Sequence, residues 1–310
     1  WSRPVAMTGV GQDGRLSRCP ICGEVSKQQA STRRPVSFGG LIRRFPRCTS
    51  CGSRSLDPMP SELELGDLYG VDYNASDGES PSVEGDPRAY DWVFETLRTN
   101  RPKRFVDYGC GGGTLLARVA ATGVEAVGFD LDSDGLEAAS RVSGCRVHSI
   151  ADIGMHLGSA DVVHLGDVLE HVPNPAEVLG RACSLLRPGG LLLSEGPLEA
   201  NLSVFNGVIA IVALARWWKP VDTPPHHVHL ATARGQRKLF KRAGLTQSEF
   251  ETSDIAWPAP ERWTREVAGS PRLSALFLVR KFSTVVWNIV PGRSSERMSN
   301  RFRYSGTTPI

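Results

Sequence analysis

The most constraining feature of this chain is a glycine-rich turn between a strand pattern and a helix pattern. It spans residues 106–113, Val-Asp-Tyr-Gly-Cys-Gly-Gly-Gly, and a helical pattern follows over residues 114–119. Glycines in such a turn let the backbone approach a ligand closely, and the N-terminus of the following helix favours negative charge. Ordinary turns are also rich in glycine, so the interpretation needs support from other residues.

Two acidic residues give that support. Asp130 ends the next strand pattern, about 20 residues further on, where a carboxylate can accept hydrogen bonds from both hydroxyls of a ribose. Asp107 lies just before the glycines, where a dinucleotide-binding fold normally has an apolar residue or a glycine. The pattern therefore indicates a nucleoside-containing cofactor that is not a dinucleotide.

The pattern Asp-x-Gly-x-Gly-x-Gly, with an acid ending the next strand, resembles motifs I and II of the class I S-adenosylmethionine-dependent methyltransferases. The resemblance continues in order through residues 161–165, 168–173 and 186–190, and covers roughly residues 85 to 250. It implies an α/β fold with a doubly wound, mostly parallel, Rossmann-like sheet, and S-adenosylmethionine as the cofactor. Residues 186–190, Leu-Arg-Pro-Gly-Gly, would be the family's helix stop before its fifth strand.

The resemblance also implies cofactor contacts. Asp107 and residues 109–111 would line the methionine end, Asp130 would hold the ribose, and Asp152 would lie beside the adenine amine. His171, after the fourth strand, is expected first as a cofactor or substrate contact and second as a base. The residues that we expect at the cofactor are Asp107, Gly109, Cys110, Gly111, Asp130, Leu131, Asp152 and Asp167.

Four of the seven cysteines form two Cys-x-x-Cys-Gly pairs. The pairs Cys19/Cys22 and Cys48/Cys51 supply four soft ligands, which is typical of a closed and therefore structural Zn²⁺ site in a zinc ribbon. Two disulfides are the alternative. The segment between the pairs is a basic hairpin, interpreted either as a solvated face or as a contact for an anionic substrate. Its arginines are Arg33, Arg34, Arg43, Arg44 and Arg47.

Composition changes and strand patterns predict the organisation of the chain. We expect a flexible tail at 1–18, the zinc ribbon at 19–57, a linker at 58–85, the methyltransferase domain at 86–254 with a lid at 202–230, and a C-terminal extension at 255–310. The predicted parallel strands are Phe105–Tyr108, Glu125–Asp130, Cys145–Ser149, Asp161–Leu165 and Leu191–Glu195.

Two apolar segments follow the fifth strand, at 202–219 and 273–303. The first has about 14 apolar residues, too few for a bilayer-spanning helix, which needs roughly 20. It is either a lid over the cleft or a helix at a membrane interface. In the second, residues 275–281 fit either the closing strand of the sheet or an interfacial helix.

Three histidines, His226, His227 and His229, stand together after the first apolar segment. A histidine pKa near neutrality suits removal of a proton from an acceptor. The segment resembles the Glu-His-aromatic-x-Phe-Ser stretch of the zinc-containing sugar methyltransferases, in which His227 takes the position of the base. The sequence departs from that family with His226 in place of Glu and Pro224 in place of Tyr. Packing or helix capping is the alternative role.

Composition limits the acceptor without naming it. A net charge of +3 gives no sign of nucleic-acid binding, and the Asn/Asp-Pro-Pro-Tyr/Phe motif of amino-group methylation is absent from the sequence. Without a signal-peptide pattern, the expected location is the cytoplasm, with peripheral membrane contact through the two apolar segments as the alternative. Three hypotheses follow: methyl transfer to a glycan, deoxysugar or secondary metabolite; a membrane-associated quinone or lipid O-methyltransferase; or a non-catalytic cofactor-binding module.

Overall fold

The computed structural model describes residues 16–31, 33–68, 90–131, 133–203, 207, 227–253, 262–289 and 293–310. The chain divides into two compact units. The sheet unit comprises Ser61–Gly196, Phe240–Glu251 and Arg303–Ile310. The cysteine unit comprises Trp1–Pro60, Pro197–Leu239 and Thr252–Phe302.

Strands and helices are numbered here in chain order. The strands are β1 Leu16–Arg18, β2 Val25–Gln29, β3 Val36–Phe38, β4 Leu41–Arg43, β5 Arg47–Cys48, β6 Arg54–Ser55, β7 Arg104–Tyr108, β8 Glu125–Asp130, β9 Arg146–Ser149, β10 Ala160–Gly166, β11 Leu186–Pro197, β12 His229–Leu230, β13 Thr246–Ser253 and β14 Arg301–Thr307. The α-helices are α1 Glu62–Leu68, α2 Asp91–Asn100, α3 Thr114–Ala120, α4 Ser133–Ser143, α5 Pro175–Ser184, α6 Ala233–Arg242, α7 Arg265–Gly269, α8 Pro271–Ile289 and α9 Arg293–Met298.

A seven-stranded sheet with the order β13-β14-β11-β10-β7-β8-β9 organises the sheet unit. Its five strands from β11 to β9 pair in parallel, which confirms the predicted mostly parallel sheet. Buried apolar residues such as Phe105, Val163 and Leu193 fill these strands, as expected for parallel strands covered on both faces. β7 and β10 are neighbours although β8 and β9 separate them in sequence, so the strand order reverses between β7 and β10. Open α/β sheets bind ligands at such a reversal, outside the carboxyl ends of the strands.

The end of this sheet differs from the sequence interpretation. Residues 275–281 belong to helix α8, and the sheet is completed by β13 and β14. β14 comes from the segment that we expected to be a C-terminal extension. Its residues alternate between buried and half-exposed, with Phe302 and Tyr304 buried, which is the period of two that a strand requires.

The fifth parallel strand also begins earlier than predicted. β11 starts at Leu186, so residues 186–190 are part of the strand and not only a helix stop. Ladder contacts hold this extension, because the Gly189 N–H donates to the Pro309 carbonyl at 3.2 Å and the Thr308 N–H donates to the Gly190 carbonyl at 3.0 Å.

The cysteine unit contains a five-stranded sheet with the order β1-β2-β5-β6-β12 and a separate hairpin of β3 and β4. Residues 16–18, predicted as part of a flexible tail, form β1 and pair antiparallel with β2. β12 adds residues 229–230 to the sheet by pairing with β6, so this sheet takes a strand from outside the predicted 19–57 range. Arg43, predicted on a basic hairpin, is buried and donates to the Phe38 and Pro58 carbonyls.

Several predictions concern residues that lie wholly or partly outside the described ranges. Residues 204–206 and 208–226 lie outside them, and they include most of the predicted lid, most of the 202–219 segment and His226. Among the described helices, none combines the length and apolar character needed to cross a bilayer.

Candidate active site and metal centre

The glycine turn after β7 is held against the end of β8. The N–H groups of Gly109 and Cys110 both donate to the Phe129 carbonyl, at 2.7 and 3.2 Å. Gly109 has a φ of 80°, and a Cβ there would lie 2.5 Å from Val168 Cγ2, so both conformation and space require glycine. The turn therefore has one defined shape at the carboxyl end of the sheet.

Asp130 ends β8, and both its carboxylate oxygens accept backbone hydrogen bonds, one of them from this turn. The Gly111 N–H donates to Oδ2 at 2.8 Å, and the Leu131 N–H donates to Oδ1 at 2.7 Å. A carboxylate oxygen can accept more than one hydrogen bond. A Cβ on Gly111 would meet no atom within 4 Å, so there is open space beside this glycine. These residues fit the ribose of a nucleoside cofactor.

Asp107 is buried at the end of β7 and bonds to a histidine that we did not predict as a site residue. His164 on β10 is the cross-strand partner of Asp107, and its Nδ1 lies 2.8 Å from Asp107 Oδ1. The other ring nitrogen, Nε2, lies 3.8 Å from Glu195 Oε1 on β11. The available signal was a single histidine within an otherwise apolar strand, but only the strand order shows which acids face it.

The other predicted residues of the sheet unit lie near the carboxyl ends of the same strands. Cys110 is buried, and burial raises the pKa of its thiol, so it packs as a small apolar group. Asp167 follows β10 in an exposed position with a φ of 49°, and its N–H donates to the Glu195 carbonyl. Asp152 is exposed on a 3₁₀ helix, Ile150–Met155, after β9. His171 is half-buried.

In the cysteine unit, His227 pairs with a carboxylate. Its Nδ1 lies 2.7 Å from Glu199 Oε2, and both side chains are partly exposed. Arg33 donates from Nη2 to the Glu199 backbone carbonyl at 2.6 Å, which fixes the chain at this residue. His229 has a different environment, since it is buried with Nδ1 2.8 Å from Ser55 Oγ. The two histidines therefore differ in exposure and in hydrogen-bond partner.

The four cysteines of the two pairs come together in the same unit. Their sulfur atoms all lie within 4.8 Å of one another, and all four residues are buried. Cys19 Sγ is 3.9 Å from Cys51 Sγ, and Cys22 Sγ is 3.8 Å from Cys48 Sγ. Four sulfurs at about 2.3 Å from a tetrahedral Zn²⁺ stand about 3.8 Å apart, whereas a disulfide requires about 2.05 Å. The cluster therefore has the dimensions of a zinc site.

Both knuckles of the cluster have the same backbone geometry. The N–H of Gly23 donates to the Cys19 carbonyl, and that of Gly52 donates to the Cys48 carbonyl, each at 2.8 Å. Both glycines have positive φ values, 73° and 86°. Hydrogen bonding among the sulfurs, with Cys48 contributing most, raises the pKa of the Cys19 thiol.

Comparison with known proteins gives the family. The model of the family described as "Methyltransferase domain" matches residues 87–248, which is more than half of the chain. The chain belongs to this family. The methyltransferase is therefore S-adenosylmethionine-dependent, as the sequence resemblance implied. The matched range includes every predicted cofactor residue.

Relatives agree with this assignment. A ubiquinone biosynthesis O-methyltransferase of Psychrobacter arcticus is 30% identical over 219 residues, covering 62% of this chain and 83% of the relative. One from Bordetella pertussis is 36% identical, and the match covers 53% of this chain and 73% of the relative. One from Aromatoleum aromaticum is 34% identical and covers 44% and 62%, so the chain spans less than two thirds of that relative. A crystal structure of a SAM-dependent methyltransferase from Archaeoglobus fulgidus has a TM-score of 0.42 at 16% identity, covering 73% of this chain and 96% of that one.

Proposed function

We propose that this methyltransferase transfers the methyl group of S-adenosylmethionine to a hydroxyl of a small-molecule acceptor. The observation that carries the proposal is the pairing of His227 with Glu199. A carboxylate on Nδ1 fixes the tautomer and stabilises the protonated ring, so that Nε2 would be the nitrogen that accepts a proton from a hydroxyl. Removal of that proton is the contribution that an alcohol or phenol needs from the protein.

The cofactor supplies an electrophilic methyl group on its sulfonium, and the protein must hold and orient it. Asp130 would accept hydrogen bonds from the ribose hydroxyls of the cofactor. Asp107 and the glycine turn would line its methionine end, and Asp152 would lie beside its adenine. Bringing methyl and nucleophile together in a fixed geometry removes much of the entropic barrier to transfer. His171 and Asp167 are proposed as further contacts.

Asp130→Ala should weaken S-adenosylmethionine binding by about 2 kcal/mol, roughly 30-fold in Kd, because two charge-assisted hydrogen bonds to the ribose are lost. Isothermal titration calorimetry measures this directly. Asp161→Ala is the matched control. This aspartate lies at the start of β10, where it bonds to Arg187 and accepts hydrogen bonds from the Lys103 and Arg104 N–H groups. Equal affinity in Asp130→Ala and wild type would remove Asp130 from the cofactor site.

For the acceptor we propose a phenolic hydroxyl on a molecule with an apolar tail. The relatives named ubiquinone biosynthesis O-methyltransferases support this choice. An exposed stripe on α8 also supports it. Its four apolar residues are each more than half exposed and recur at intervals of four and three, on one face of the helix: Leu278, Phe282, Val285 and Ile289.

Basic and aromatic residues flank this stripe. Lys281 is exposed and lies over the Phe277 ring, with 5.4 Å from Nζ to the centroid, and Trp263 is exposed and packs edge-on against the same ring. An apolar face bordered by cations and tryptophan suits the interface of an anionic bilayer. We therefore propose peripheral membrane contact through α8, where an apolar-tailed acceptor would be found.

Phe282→Asp should lower the fraction bound to anionic phospholipid vesicles at least about tenfold, because an apolar side chain at the interface is replaced by a charge. Flotation of the protein with vesicles measures the fraction. Thr284→Asp is the matched control, since Thr284 is exposed on another face of the same helix. Wild-type protein that stays with the soluble fraction at low salt would contradict the membrane proposal.

A sugar hydroxyl is the second candidate acceptor. The His227–Glu199 pair favours it, because a sugar alcohol is far less acidic than a phenol and depends more on a base. Assays with a prenylated catechol and with a nucleotide-linked deoxysugar separate the two acceptors. Products methylated on nitrogen or carbon would contradict the hydroxyl proposal itself.

We further propose that Cys19, Cys22, Cys48 and Cys51 bind one Zn²⁺ in a structural role. All four ligands would come from the protein, so no position is open for substrate or water. The cluster is joined to α6 through Thr232, which donates to the Cys51 carbonyl at 2.8 Å and accepts from the Gly235 N–H at 3.0 Å. The metal would therefore stabilise the segment that carries His227.

A further inference from the structure

A buried charged network lies at the carboxyl ends of the three central strands. It joins Asp107 on β7, His164 on β10 and Glu195 on β11. The side chains of the first two are almost fully buried, at 6% and 4% exposure, and Glu195 is 10% exposed. Burying carboxylates is costly unless a cation pairs with them, and here His164 lies between the two acids.

Aromatic and basic residues contact this network. The Trp92 indole N–H donates to Glu195 Oε1 at 3.4 Å, and Arg303 Nε lies 3.6 Å from Oε2 of the same carboxylate. The Phe105 and Trp92 rings lie near His164, each with centroids 6.3 Å from the imidazole. Arg303 offsets part of the Glu195 charge, whereas Asp107 has His164 as its described basic contact.

This environment favours the protonated imidazole. Burial by itself lowers the pKa of His164, but the charges of Asp107 and Glu195, together with the hydrogen bond to Asp107, outweigh it and raise the pKa from 6.5 to about 9. The ring is therefore charged at neutral pH. Because the pKa in the folded state is the higher one, the stabilisation is fully present below about pH 6.5 and is lost as the pH rises through about 9.

We propose that His164 is a positioning residue for the cofactor, a buried cation that pairs with Asp107 and fixes the orientation of its carboxylate at the cofactor turn. The proposal rests on the placement of S-adenosylmethionine beside Asp107. The Nδ1 hydrogen bond engages one carboxylate oxygen of Asp107, and the imidazole lies between Asp107 and Glu195. Without this cation the buried carboxylate would lose its charged partner, and burial by itself favours the uncharged acid.

The first test is histidine NMR on the wild-type protein, with the His164 signal assigned by its absence in His164→Leu. We expect His164 to titrate well above 6.5, near the value of about 9 given above. This readout needs neither cofactor nor activity. An ordinary pKa for His164 would overturn the proposal.

The second test is the pH profile of S-adenosylmethionine affinity, measured by calorimetry from about pH 5.5 to 8.5. We expect a flat profile for the wild type. His164→Leu should lose affinity by about tenfold towards the acidic end, because the carboxylate at the cofactor turn has lost its buried cation and burial favours the uncharged acid. His164→Asn, which can still direct an amide N–H at Asp107, should show a smaller dependence. His148→Leu, on strand β9 at the edge of the same sheet, is the matched control and should stay flat.

A role in packing alone would lower the melting temperature of His164→Leu while leaving its affinity profile flat, and that result would overturn the proposal. Asp107→Asn separates this failure from a failure of the cofactor placement. If His164 titrates high but Asp107→Asn binds S-adenosylmethionine as the wild type does, the placement at Asp107 is wrong, and the positioning role falls with it.

Discussion

His227→Ala is expected to lower kcat about 100-fold or more while leaving the affinity for S-adenosylmethionine unchanged. A positioned general base typically contributes a factor of 10² to 10⁴, and the change removes the ring that would accept the hydroxyl proton. Steady-state kinetics with the true acceptor and calorimetry with the cofactor give the two quantities. In the same protein, Glu199→Gln should reduce kcat by a smaller factor, since the ring remains but loses its carboxylate partner.

His229→Asn provides the comparison within the same segment. Its imidazole is buried against Ser55 in the cysteine unit, so this change should lower the melting temperature without a matching loss in kcat per folded molecule. Methyl transfer by His227→Ala within a few-fold of wild type would show that His227 is not the base. Proximity and orientation would then carry the reaction, as they can when the acceptor is already acidic.

Removal of metal from the four-cysteine cluster is expected to unfold the surrounding sheet. Its strands are two to five residues long, too short to bury a core of their own, so metal binding would supply much of their folding free energy. Freshly purified protein should contain one Zn²⁺ per chain. Chelation, or Cys48→Ser, should release the metal and lower the melting temperature of the cysteine unit, as followed by metal analysis and thermal unfolding.

Cys183→Ser is the matched control for this experiment. Cys183 lies on α5 of the sheet unit, where burial raises the pKa of its thiol to about 12, so it should neither bind the metal nor change the Zn²⁺ content. Less than half an equivalent of Zn²⁺, with Cys19 and its partners found as disulfides, would contradict the metal site.

Local motifs were the part of this protein that could be predicted from its residues. The turn at residues 109–113 and Asp130 belong to one strand-turn-helix-strand unit. Their contact through the Gly111 N–H is therefore determined by residues that are close in sequence. The cysteine pairs are similar, because each knuckle is closed by a hydrogen bond within five residues. The five parallel strands were also predicted, since long apolar runs between helices leave few alternatives.

Strand partners could not be predicted in the same way. Residues 275–281 are apolar enough for either a helix or a strand. In the structure they form part of the longer helix α8, together with the residues on both sides of them. β14 closes the sheet because the alternation at Phe302 and Tyr304 matches the position beside β11, which is more than 100 residues away in sequence. β1 and β12 are only three and two residues long, too short to carry a recognisable pattern.

By itself, the sequence determined the methyltransferase family, the glycine turn with Asp130, and the four cysteines that could share a metal. These features depend on residue types at fixed local spacing, and their chemistry is visible without knowing the fold. Only the tertiary structure decided that His164 lies between Asp107 and Glu195, and that Glu199 pairs with His227. The physical reason is that the protonation state and the orientation of a buried group depend on its neighbours. Those neighbours are set by strand order and by contacts between distant parts of the chain, which are long-range properties.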